Sequence, residues 1–126
     1  MVNRNQIMDQ LINLCPSFRE TWKEHLRDIW DRESETILYT DLSAFSEHLV
    51  NLAEDDNITE FLDVFTYIER LLFNGDEFVK EAIVIGLFED LQNKALTKNI
   101  KLYYFEQYLG EKSIKAWREI IEFWNS

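Results

Sequence analysis

The chain has 126 residues, 46% hydrophobic and 14% aromatic, with one cysteine and a formal net charge of −11. That size and composition describe one domain over residues 1–126, large enough to bury a core without disulfides or structural metals. The negative charge counts against nucleic acid and anionic membrane surfaces as ligands and favours a partner with a basic surface.

The longest apolar run, Ala82 to Phe88, holds seven residues, far short of a bilayer span. The opening MVNRNQIMDQLINLC is interrupted by polar residues, so we expect no signal peptide. A lone Cys15 fits a reducing, cytoplasmic setting.

Three glycines and one proline leave little punctuation for a β fold, so an all-α bundle of about six to seven helices is expected. Successive helical hairpins are also compatible with a HEAT-like stack. Ile7, Met8, Leu11, Leu14 and Cys15 recur at helical spacing before Pro16 and predict a first helix near 4–14. Ser17 with Glu20 has the form of a capping box for a second helix to about Asp31. Its apolar stripe is Trp22, Leu26, Ile29 and Trp30. Asp41 can cap a third helix carrying Leu42, Phe45, Leu49 and Leu52.

Asn57 with Glu60 predicts a cap on a fourth helix, with Ile58, Phe61, Phe65, Ile68 and Leu72 inward. Asn74-Gly75-Asp76 then ends that helix and caps the next, about 77–92, in a tight hairpin. This fifth helix contains AIVIGLF, apolar on every side and so expected at the buried centre. Gly86 within it predicts a close helix crossing. A polar break at Asn93 to Asn99, a short aromatic helix from Leu102 to Leu109, and a last helix to about Trp124 follow. Thr36 to Tyr39 and Ile100 to Tyr103 are short and β-prone, and remain open between strand and helix.

Charge is uneven along the chain. Residues 1–32 net zero and residues 94–126 net +2, whereas residues 33–93 hold fifteen acids against Arg70 and Lys80 alone, netting −13. Three groups in that stretch are candidate partner contacts. Glu54, Asp55 and Asp56 fall between the third and fourth helices, where helix capping accounts for part of the cluster. Glu60, Asp63 and Tyr67 are placed on one helix edge away from the core, a combination of steering charge and rigid contact area. Glu89 and Asp90 fall in the last turn of the fifth helix, where the dipole disfavours anions. Asp90 must therefore meet a cation or cap inside the protein or take one from a partner.

Chemistry-bearing motifs are sparse. Cys15 lies on an apolar helix face and reads as a buried structural thiol. His25 and His48 lack metal-ligand spacing, and no phosphate loop, Glu-x-x-His pair or EF-hand loop occurs. We expect no catalytic residues, no metal and no cofactor.

Several runs nonetheless resemble a known family. They are Cys15-Pro16-Ser17-Phe18 with Trp22, Phe65-x-x-Ile68-Glu69-Arg70-Leu71-Leu72, Gly75-Asp76-Glu77, Gly86 to Asn93, and Tyr108-Leu109-Gly110-x-x-Ser113-x-x-x-Trp117. They are similar to a family of small bacterial all-helical proteins without an assigned activity, over about residues 12–124. Its members resemble immunity proteins encoded beside secreted or contact-dependent toxins. The resemblance implies stoichiometric binding of a toxin domain, possible for a nuclease toxin through an acidic face. An adaptor with a different protein partner is the alternative, and an enzyme using carboxylates alone is a third.

Overall fold

The computed structural model describes residues 6–29 and 31–126. Among these residues the chain is all-helical and contains no strand. Both ambiguous stretches resolve accordingly: 37–39 open a helix, and 100–102 form a turn into another.

Helix α1 (Ile7–Leu14) buries Ile7, Met8 and Leu11. It ends where Pro16 moves Cys15 out of the helical region, to φ −129° and ψ 68°, because proline disfavours helical backbone before it. The expected start near residue 4 lies partly outside the described residues. A 3₁₀ turn (Pro16–Phe18) leads into α2 (Arg19–Asp28).

The α2 stripe is not a core face. No residue of α2 is buried, Leu26 is 39% exposed, and Trp30 lies outside the described residues. The helix stops at Asp28 rather than Asp31, since Ile29 turns extended. It lies along the rim of the bundle, touching it through Trp22 and His25.

Helix α3 (Ile37–Glu54) begins one turn earlier than an Asp41 cap would place it. Leu42, Phe45, Leu49 and Leu52 point inward as their spacing predicts. Helix α4 (Phe61–Asn74) buries Phe61, Phe65, Ile68 and Leu72, but Ile58, expected inward, is 38% exposed because the helix begins only after it. Asn57 does not cap it; its side-chain oxygen accepts the Thr59 hydroxyl at 3.2 Å. Asp76 does cap the next helix, accepting the Val79 N–H at 2.8 Å.

From there α5 (Glu77–Glu81), a π-helical segment (Ala82–Glu89) and α6 (Asp90–Thr97) follow without interruption. Helical dihedrals at Glu81, Glu89 and Asp90 make them one rod, so the expected break at Asn93 does not occur. The rod ends at Asn99, which takes the left-handed φ of 59° that asparagine tolerates at a helix C-terminus. The π segment is not buried all round: Ile85 is 45% exposed. Helices α7 (Tyr103–Glu106) and α8 (Glu111–Asn125) complete the chain.

Helix α3 packs along the π segment and α6, while α4 packs against α8 and α1. Between these layers runs a chain of aromatic rings. Phe61 and Phe105 lie 6.1 Å apart, Phe105 and Trp117 5.8 Å, and Trp117 and Phe88 5.6 Å. The crossing expected at Gly86 is made by α3. A Cβ there would sit 3.1 Å from the Tyr39 ring and 3.5 Å from a Leu42 methyl.

Helix α8 is anchored by Glu69 of α4, whose carboxylate accepts the N–H groups of Lys112 at 2.9 Å and Ser113 at 2.8 Å, and the Ser113 hydroxyl at 2.8 Å. Gly110 permits this approach, since its Cβ would fall 2.6 Å from the Glu69 carboxyl carbon.

Two outcomes follow from these contacts. Gly86→Leu should destabilise by about 3 kcal/mol in urea unfolding, because the extra atoms have no space. Gly86→Ala should stay within about 1 kcal/mol of wild type, its helix propensity offsetting the tight Tyr39 contact. For Glu69, burial alone would raise the pKa, but the donors from Lys112 and Ser113 outweigh it and hold the group below its ordinary value. A depressed carboxylate stabilises fully above its unfolded pKa and loses that contribution as pH falls through the folded one. Glu69→Gln should therefore cost about 1–2 kcal/mol at neutral pH. That difference should shrink towards zero in acid, well below the ordinary glutamate pKa.

Candidate functional site

Three polar clusters lie outside the aromatic core. The first forms where the chain turns at Pro16. Cys15 and Ser17 there meet His48 from α3 and Glu60, the residue preceding α4. The Ser17 hydroxyl is 2.5 Å from Glu60 Oε1 and 2.8 Å from His48 Nε2. The Ser17 N–H donates to Glu60 Oε2 at 3.1 Å, and the Cys15 thiol to Oε1 at 3.4 Å. The capping box of Ser17 with Glu20 is not made, because these tertiary partners take the serine instead.

Electrostatics here oppose nucleophilic chemistry. Burial, helped by the Glu60 charge, pushes the Cys15 thiol up to about 12. Burial also lowers His48, against the pull of Glu60. Glu60 is raised by burial but lowered more by the Ser17 hydroxyl, the Ser17 N–H, Cys15 and His48, and lies below its ordinary value. An ionised carboxylate only accepts, so the serine hydroxyl donates to Glu60 and accepts from His48 Nε2. That direction leaves His48 Nε2 without a lone pair for the hydroxyl, the reverse of a Ser–His catalytic pair.

The second cluster centres on Asp41, which is 2% exposed. Arg32 reaches it in a two-pronged pair at 2.9 and 2.7 Å, and His25 Nε2 lies 2.7 Å from Oδ1. Trp22 stacks on His25 at 5.4 Å, and the Arg32 guanidinium lies over the same indole at 5.4 Å. Asp41 therefore clasps α2 and the following loop onto α3 rather than capping a helix. Beside it opens a cavity of about 450 Å³ whose lining includes Trp22, Arg32, Glu33 and Glu35.

The acids singled out from sequence do not share one face. Glu54 lies 3.9 Å from Lys98, Asp55 is exposed, and Asp56 accepts the Tyr104 hydroxyl at 2.8 Å. Glu60 turns inward to Ser17, away from Asp63 and Tyr67. Those two line a cleft of about 480 Å³ with Arg70, Thr66 and residues of α1. Glu89 borders a small groove containing Glu119, Ile120, Phe123 and Trp124. Glu89 and Asp90 lie mid-rod, not in a last turn, since the helix continues to Thr97. Asp90 meets an internal cation, Lys94 at 2.8 Å, and accepts the Ser46 hydroxyl.

A third cluster lies between α2 and α3 and was not legible as a run. Glu24, Asp28 and Glu47 line a groove of about 280 Å³ with His25, His48 and Asn51, and among the described residues no lysine or arginine lines it. All three acids are exposed. Glu24 and Asp28 are four residues apart on one helix, a like-charge spacing that is destabilising by a few tenths of a kcal/mol. Sequence alone offers only that spacing, because Glu47 joins from another helix.

The two paired aspartates should behave differently. Asp41→Asn leaves Arg32 facing a neutral group beside the core and should destabilise by about 3 kcal/mol. Asp90 and Lys94 each keep 30% of the side chain exposed, so Asp90→Asn should cost no more than about 1 kcal/mol. Chemical unfolding of both variants under identical conditions tests that ordering.

Comparison with curated proteins and with solved structures brings no match. Residues 8–125 match the family described as Domain of unknown function (DUF7674). That match covers nearly the whole chain, from α1 through α8, and the protein belongs to this family.

Proposed function

We propose that this is a non-catalytic binding protein that engages a basic protein partner, in the manner of an immunity protein neutralising a toxin domain. The observation carrying the proposal is the groove between α2 and α3, where three exposed carboxylates meet and, among the described residues, no lysine or arginine lines the wall. Such a grouping repels itself in the free protein and is relieved by a cation from outside. Internal pairing explains Asp41, Glu60, Glu69 and Asp90, but it does not explain Glu24, Asp28 or Glu47.

The resemblance to immunity proteins supports the same reading, and the wiring of Ser17 and His48 argues against a hydrolytic alternative. Lys or Arg side chains of the partner would enter the groove. A toxin domain encoded beside this protein is the partner to test.

Steering by opposite charge raises association rates by roughly 10–10³-fold and fades as salt shortens the screening length. Stopped-flow association should slow steeply from low to moderate salt, with dissociation changing much less. Glu24→Lys with Glu47→Lys should slow association about tenfold or more. Glu119→Lys with Glu122→Lys, on the far C-terminal helix, should do little. Equal slowing by both pairs would show that net charge matters and the groove does not. A salt-independent rate would remove the case for a basic partner.

A further inference from the structure

We infer that Cys15, His48 and Glu60 form a binding site for one divalent cation of the zinc class. Their ligand atoms, Sγ, an imidazole nitrogen and a carboxylate oxygen, all lie within 4.8 Å of one another. Sulfur, imidazole and carboxylate together match the donors zinc takes, whereas the thiol disfavours hard cations such as magnesium and calcium.

The spacing needs little adjustment. Zinc bound at about 2.0–2.3 Å in tetrahedral geometry holds its ligand atoms roughly 3.3–3.7 Å apart. Cys15 Sγ and Glu60 Oε1 already stand 3.4 Å apart, so the imidazole supplies the remaining closure. The Ser17 hydroxyl, 3.6 Å from Sγ, lies between the three and swings aside as the ion enters; the Cys15 thiol proton then leaves to solvent and the His48 proton shifts from Nε2 to Nδ1, which frees the Nε2 lone pair for the metal. Three protein ligands with the fourth position open is the arrangement of a solvent-accessible zinc site.

Supporting contacts already orient the ligands. The Ser17 N–H holds Glu60 Oε2 at 3.1 Å, which leaves Oε1 facing the thiol. Phe18 packs on the His48 ring with centroids 5.2 Å apart. Such outer contacts fix the rotamers that a metal site requires. A hydrogen-bond knot alone accounts for Ser17 and Glu60. It gives no reason for a thiol, a weak donor, to face the carboxylate. The three ligands come from the end of α1, the middle of α3 and the start of α4, so an ion would tie three helices together.

The site shares His48 with the edge of the α2–α3 groove but does not rest on the partner-binding reading, and its test uses the full-length protein stripped with a chelator. Zn²⁺ titrated in competition with a chromophoric chelator should bind once per chain and raise the melting temperature. Co²⁺ should produce a thiolate-to-metal charge-transfer band. Cys15→Ser should abolish the band, and His48→Gln and Glu60→Gln should each weaken Zn²⁺ at least tenfold. Excess Mg²⁺ should not displace the ion. His48→Gln, at a half-buried ring, decides the matter should Cys15→Ser fail to fold. Undiminished Zn²⁺ affinity in folded His48→Gln and Glu60→Gln would mean adsorption to the acidic surface and overturn the site. Absence of stoichiometric Zn²⁺ binding, or a Co²⁺ complex without the thiolate band, would overturn it equally.

Discussion

The contact between α3 and the central rod is made possible by the missing side chain at Gly86. There α3 settles onto the central rod, with the Tyr39 ring and a Leu42 methyl occupying space a Cβ would contest. Three β-branched residues, Ile83, Val84 and Ile85, precede that glycine. Crowding of β-branched side chains against the preceding turn disfavours the tighter α-helix, and the wider π turn persists through this segment. With α3 and the rod in contact, the aromatic chain from Phe61 to Phe88 has a floor to pack on. The remaining helices are placed around that pair.

Carboxylates hold the periphery to this centre. Glu60 ties the Pro16 turn to α4, Asp41 ties α2 and its loop to α3, Glu69 anchors the start of α8, and Asp90 bridges the rod to Ser46 of α3. Each accepts from backbone N–H groups, hydroxyls or cations that would otherwise be left without partners at a helix end or a buried edge. Much of the acidic excess is thus structural mortar. The part that does no such work is spread over several helices, and three of its members, Glu24, Asp28 and Glu47, meet at the α2–α3 groove.

This division matters for function because charge along a sequence and charge on a surface are different quantities. A net of −13 over residues 33–93 does not make one acidic face, since some of those side chains point inward and others lie on opposite sides of the bundle. The groove draws two of its acids, Glu24 and Asp28, from a segment whose net charge is zero. The Cys15, Ser17, His48 and Glu60 cluster is hidden for the same reason: its two halves, the Pro16 turn and the pair His48 and Glu60, are joined by bonds that span 31 to 45 positions, and only packing makes them neighbours.

The amino-acid order by itself determined the all-helical class, the inward stripes of α3 and α4, the Asp76 cap and the close crossing at Gly86. Each of these depends on local periodicity or on one residue's stereochemistry, and both act within a few positions. It did not determine that α2 would lie on the rim with no buried residue, that the rod would run through Asn93 to Thr97, or where the carboxylates would point. Those outcomes rest on partners that become neighbours only when distant helices pack, and such tertiary contacts outweigh the few tenths of a kcal/mol by which local preference is expressed. Tertiary structure alone decided which acids became internal ties and which stayed exposed.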